Sequence, residues 1–118
     1  MVPFTFEKLE VYQKAIVFAD FVYDATAAFP KEERFGLTSQ LRRSSISIAA
    51  NLAEGAGRQS KSDQKHFYTI ARGSLYECIP FLELAKRKRF LASENHLMVL
   101  DKAHELARLL NGLIRSRE

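Results

Sequence analysis

The chain has 118 residues, 47% of them hydrophobic, with 18 lysines and arginines against 14 aspartates and glutamates and a net charge of +4. That length fits one domain with a buried core, and that composition excludes a disordered chain. A single cysteine, Cys78, excludes an intramolecular disulfide framework, and the basic balance permits an acidic partner such as nucleic acid without requiring one.

The N-terminal stretch MVPFTFEKLEVYQK has neither a basic leader nor an uninterrupted apolar run. No segment approaches the ~20 apolar residues of a membrane span. We therefore expect a soluble, cytoplasmic protein with no membrane partner.

Helical periodicity runs through almost the whole chain, and no strand-like alternation or hairpin signal interrupts it. The first helix is expected from about Glu7 to Ala28. Leu9, Tyr12, Ile16, Ala19 and Tyr23 form one row, and Val11, Ala15, Phe18, Val22 and Phe29 another. Together they make an apolar arc of roughly half the helix circumference at ~100° per residue. Phe29-Pro30 ends the helix, because a residue before proline is pushed out of the α region. A polar link, KEERFG, follows, with Gly36 as a turn or helix boundary.

The second helix is expected from Leu37 to Glu54, with Leu37, Leu41, Ile48 and Leu52 as its apolar row and Ala49, Ala50 and Ala53 widening it. Gly55 and Gly57 are expected to stop it as C-terminal breakers. Ser60 is a suitable N-cap for the third helix, with Asp63 in its first turn. Phe67, Ala71, Leu75, Cys78, Leu82 and Ala85 then share one face. Pro80 lies inside that pattern and predicts a kink but no break, since the period continues through it. The third helix ends near Arg89-Phe90, and Ser93 is expected to cap the fourth, with Glu94 in its first turn. Leu100, Ala103, Leu106, Ala107, Leu110, Leu113 and Ile114 carry the last stripe.

Four amphipathic helices joined by short links predict an all-α, antiparallel up-down four-helix bundle in one domain over residues 1–118. The arcs on the first and fourth helices are broader than one bundle core requires. Excess apolar surface on a small protein predicts self-association into a homo-oligomer.

Catalytic chemistry finds little support. His66, His96 and His104 form no His-Glu-x-x-His run and no Glu-x-x-His pair, so no metal site and no cofactor are expected. Each histidine reads as a solvated or half-buried helix residue. Cys78 lies on an apolar row and reads as a small buried hydrophobe, lacking the basic, exposed setting a nucleophilic thiol needs. The sequence EGAGR is no phosphate loop, because its glycines follow a helix where a Walker or dinucleotide loop follows a strand.

Two basic clusters remain. Arg43, Ser47, Ala50 and Glu54 share one face of the second helix, with Ser44 and Asn51 beside it. Asn51 and Glu54 sit among alanines and leucines and are expected to join an internal polar network, with an arginine as the natural partner of Glu54. Arg42 and Arg43 keep two roles open, as partners to that network or as contacts to phosphate. Lys86-Arg87-Lys88-Arg89 complements the negative end of the third helix and equally offers a phosphate-contacting patch. Arg58, Lys61, Lys65 and Arg72 add charge around the second link. No aromatic stacking platform accompanies them.

FEKLEVYQKA at 6–15, QLRRSSISIAANLAEGAGR at 40–58 and FYTIARGSLYEC at 67–78 resemble the signatures of a bacterial family, the four-helix-bundle proteins encoded in 23S rRNA intervening sequences. The resemblance covers nearly the whole chain and implies a ring- or barrel-like homopentamer. It extends to a related protein, the accessory variability determinant of diversity-generating retroelements, a basic pentamer that associates with a reverse transcriptase and nucleic acid. The combined expectation is a non-enzymatic, homo-oligomeric bundle that binds RNA or DNA through Arg42, Arg43, Arg58, Lys61, Lys65, Arg87 and Lys88. The alternative is a structural adaptor that docks a protein partner through its oligomeric surface.

Overall fold

The computed structural model describes residues 2–118. Four helices account for most of them: α1 over Glu10–Thr26, α2 over Leu37–Ala56, α3 over Lys61–Arg87 and α4 over Ser93–Arg115. Short 3-10 turns at Thr5–Lys8 and Lys31–Glu33 precede α1 and α2. Helix α1 packs on α2 and α4, and α3 packs on α2 and α4, while the diagonal pairs do not touch. That closed ring of neighbours is the contact pattern of an up-down bundle.

The antiparallel register is visible in individual contacts between α2 and α3. Ser44 Oγ donates to Glu77 Oε1 at 2.9 Å, and Ser47 Oγ shares a hydrogen bond with Ser74 Oγ at 2.9 Å. Moving three residues forward along α2 thus moves three residues back along α3. The small side chains Ser44, Ser45, Ala49 and Gly55, all buried, let these two helices form the most extensive interface in the bundle. The core is filled by Phe18 of α1, Leu41, Ile48 and Leu52 of α2, Tyr68, Leu75 and Leu82 of α3, and Leu106 and Leu110 of α4, each essentially inaccessible to solvent.

Several local expectations are corrected. The N-terminal turn does not join α1, because Leu9 adopts an extended backbone (φ −70°, ψ 129°) between them. The turn is instead held by the packing of Phe6 edge-on to Tyr12 at 5.1 Å and by Gln13 Nε2 donating to Glu7 O at 3.2 Å. Gly55 does not break α2; it lies buried inside the helix, and Gly57 is the C-cap. A Cβ on Gly55 would lie 2.8 Å from Tyr68 Cε1 and 3.0 Å from Phe67 Cβ, so close helix approach, not chain reversal, requires glycine there. The buried row of α3 begins at Tyr68, with Phe67 only half-buried beside it. Ser60 does cap α3, accepting from Asp63 N at 3.0 Å. Ser93 does not cap α4, whose N-cap is Ala92.

Helix α3 continues unbroken through Pro80, which is exposed, so the carbonyl of Tyr76 that loses its helical donor lies on the solvent side, where water can satisfy it. The helix ends in a Schellman arrangement, with Phe90 N bonded to Ala85 O at 2.9 Å and Arg89 N to Lys86 O at 3.0 Å. Arg89 takes the left-handed position (φ 64°) that glycine usually fills. No helix is long and apolar enough to cross a membrane among the described residues.

Candidate nucleic-acid interface

The basic residues singled out by sequence fall into three places. The first is the pole formed by the α2–α3 link and the C-terminus. Here Arg58 Nη2 lies 2.8 Å from Glu54 Oε1, and its guanidinium sits 4.6 Å from the centre of the Phe67 ring. Lys65 Nζ lies 3.7 Å from Glu118 Oε1, and exposed Lys61 has no ion pair among the described residues. The second is the opposite pole, where α3 ends in Lys86, Arg87, Lys88 and Arg89. Arg87 Nε lies 3.8 Å from Glu83 Oε1, and Lys88 is exposed and unpaired among the described residues.

Helix α3 has 27 residues. At ~1.5 Å per residue it sets these poles about 40 Å apart, close to the 43 Å long axis of the protein. A single chain therefore cannot gather Arg58, Lys61 and Lys65 with Arg87 and Lys88 into one patch.

The third place is the middle of α2, where adjacent arginines diverge. Arg42 turns toward α1: its Nε donates to Thr26 Oγ1 at 2.8 Å, its Nη2 donates to Tyr23 O at 3.3 Å, and its guanidinium stacks 4.5 Å from the Tyr23 ring centre. It cross-links two helices. Arg43 is exposed and lines a shallow cavity of about 290 Å³ with Gln40, Ser44, Ser47, Ser74 and Glu77. Of the pair, Arg43 is the one whose charge faces solvent.

The expected polar network exists in altered form. Asn51 Nδ2 donates to Ser47 O at 2.8 Å and to Ser47 Oγ at 3.0 Å, and Ser47 connects onward to Ser74. Glu54 is not part of it. It is exposed and paired with Arg58 one helical turn later, so its partner is an arginine but its setting is the surface. The serine ladder with Glu77 takes its place. The spacing of Ser44 and Ser47 on α2 carried a signal for it, but the facing Ser74 and Glu77 are assigned only by packing.

Two further groups bear on chemistry. Burial pushes the Cys78 thiol up to about 12, with the neighbouring Glu77 charge adding to the shift, and its Sγ donates to Ser74 O at 3.4 Å. It is a packing residue and no nucleophile at neutral pH. His66 and His104 are exposed, but His96, also read from sequence as solvated or half-buried, is buried at 8% exposure with no hydrogen-bond partner for Nδ1. No group of three metal-ligating side chains forms among the described residues.

The family model described as "23S rRNA-intervening sequence protein" matches residues 7–112. A solved structure of a protein of unknown function from the S23 ribosomal protein family of Bacteroides thetaiotaomicron superimposes with a TM-score of 0.79 at 27% identity, covering 88% of this chain and 97% of that one. A search of the curated proteins finds no match.

Proposed function

The chain belongs to the 23S rRNA-intervening sequence protein family, and from that premise we propose that it is a non-enzymatic, cytoplasmic, basic bundle that assembles into a homopentameric ring and binds RNA through phosphate contacts. The observation that carries this reading is the placement of exposed cations without acidic partners among the described residues: Lys61 at one pole, Lys88 at the other and Arg43 between them. In one chain these charges are too far apart for a compact site. Side-by-side assembly repeats each pole around a rim and turns scattered cations into a continuous basic band. Exposed Ile16 and Val17 on α1, with Leu97 and Met98 on α4, supply apolar surface for that assembly. Arg42 drops out of the contact set, since its donors serve Thr26 and Tyr23.

RNA binding measured by fluorescence anisotropy over increasing salt tests the first half. Phosphate contact predicts a linear fall of log affinity with log salt, with a slope of about −0.7 per phosphate on single strands. Absence of binding at low salt sinks it. Light scattering tests the second half, with five times the 13.5 kDa protomer mass expected and a monomer ruling the ring out.

A second reading, a scaffold that docks another protein, is favoured by the strong exposure of Leu97 (64%) and Met98 (51%). It predicts a protein partner that stays bound after nuclease treatment. Loss of every association on nuclease treatment removes it.

A further inference from the structure

A cavity of about 460 Å³ lies at the corner where α3 meets α4, lined by Ile79, Glu83, Lys86, Arg87, Arg89, Ser93, His96 and Leu100. Its electrostatics are one-sided. Three cations face one carboxylate, and that carboxylate, Glu83, is 3.8 Å from Arg87, which leaves Lys86 and Arg89 without an ion pair among the described residues. The N-terminus of α4 opens on the same cavity through Ser93. The helix has no side-chain cap, and its first intrahelical bond runs from His96 N to Ala92 O at 2.9 Å. The amides of Ser93, Glu94 and Asn95 come before that bond and are the unpaired donors that make a helix start attractive to anions.

The second observation is independent of the helix end. His96 is 8% exposed, and its Nδ1 is the one buried side-chain nitrogen or oxygen without a partner among the described residues. A buried polar atom left unpaired is costly and points to a ligand that completes it. Within a cationic lining that ligand is an acceptor, which makes Nδ1 a donor. Arg89 adds to the picture, since a left-handed backbone is held there by a residue that gains nothing locally from it, and its side chain faces the cavity.

We propose that this corner binds a phosphate monoester, with the phosphate held by Lys86, Arg89, His96 Nδ1 and the first amides of α4, and the organic part resting on Ile79 and Leu100. The volume falls in the range of small-molecule sites, about 300–1,000 Å³, and exceeds what a bare phosphate fills. The proposal deepens the phosphate-binding reading by adding a site for a terminal phosphate. It also stands without that reading, since a free monoester fits the same chemistry.

Titration of the full chain with inorganic phosphate and with adenosine monophosphate, followed by amide and imidazole NMR shifts, tests it. Saturable shifts at Ser93, Glu94, Asn95 and the His96 ring are expected. Arg89→Gly is the decisive variant, because glycine is at ease in the left-handed position and the fold is retained. It is expected to weaken phosphate binding roughly tenfold, the loss of one charge-assisted contact. His96→Leu, which keeps the volume apolar, is expected to do the same. No saturable shift in the wild-type protein overturns the site, as does unchanged phosphate affinity in Arg89→Gly. Oligoribonucleotides with a 5′-phosphate or a 5′-hydroxyl separate the sources. Preference for the phosphorylated end makes an RNA terminus the ligand, and binding of adenosine monophosphate without that preference makes it a small metabolite. Salt-dependent RNA binding with no phosphate response overturns the corner site alone, whereas a phosphate response without RNA binding overturns only the RNA reading.

Discussion

Arg42 Nε donates to Thr26 Oγ1 across the α1–α2 interface at 2.8 Å, while the next residue, Arg43, faces solvent. Adjacent residues on a helix point about 100° apart, so one arginine of the pair is structural and the other is free. The two are therefore expected to separate in experiment. Arg42→Ala should cost about 1–2 kcal/mol in urea unfolding, since Thr26 loses a charged donor but keeps its own bond to Val22 O at 2.8 Å. Arg43→Ala should leave the unfolding midpoint within error and lower the salt slope of RNA binding by about one. Equal stability loss in both variants would contradict the assignment.

Gly55→Ala measures how tightly α2 and α3 are joined. In an exposed helix interior this change stabilises by about 1 kcal/mol. Here the new methyl would sit 2.8 Å from the ring of Tyr68, which is 1% exposed and has nowhere to move. Overpacking of this kind costs about 1–3 kcal/mol, so a net destabilisation is expected by thermal or urea denaturation. A gain in stability would show that the interface can yield.

Arg89→Gly should act in the opposite direction. The left-handed position at the end of α3 costs an L-residue about 1 kcal/mol, and glycine removes that cost. The variant is expected to melt higher than wild type while binding phosphate less well. A combined loss of stability and binding would point to a packing role for the arginine.

Alkaline pH should expose the burial of Cys78. The folded thiol is pushed up to about 12 from an ordinary value of 9.0. Between those values the unfolded chain releases a proton that the folded chain keeps, so folding stability is intact below about pH 9 and falls as pH rises, by at most about 1.4 kcal/mol per pH unit from this group. Tyr68, also raised by burial against the opposing charge of Arg117, acts in the same direction at higher pH. Cys78→Ala is expected to show a shallower alkaline decline than wild type in urea unfolding. Parallel pH profiles would refute the contribution.

What the sequence determined by itself was the class of fold and the face that each helix buries. Periodicity at three and four residues survives any packing arrangement, because it is a property of one helix against an apolar interior. Hence the rows Leu41–Ile48–Leu52 and Leu75–Cys78–Leu82 lie in the core as their spacing required. The Ser60 cap was legible for the same reason, since its acceptor and donor are three residues apart.

The tertiary structure decided everything that depends on a facing helix. It turned Gly55 from a helix breaker into a contact point, because Tyr68 approaches from α3. It separated Arg42 from Arg43, put Glu54 on the surface with Arg58, and built the polar network from Ser47, Asn51 and Ser74. It also buried His96 beside the end of α3, where no local pattern marks a histidine as unpaired. A partner's identity belongs to residues tens of positions away, and only the packed helices bring those residues within hydrogen-bond reach.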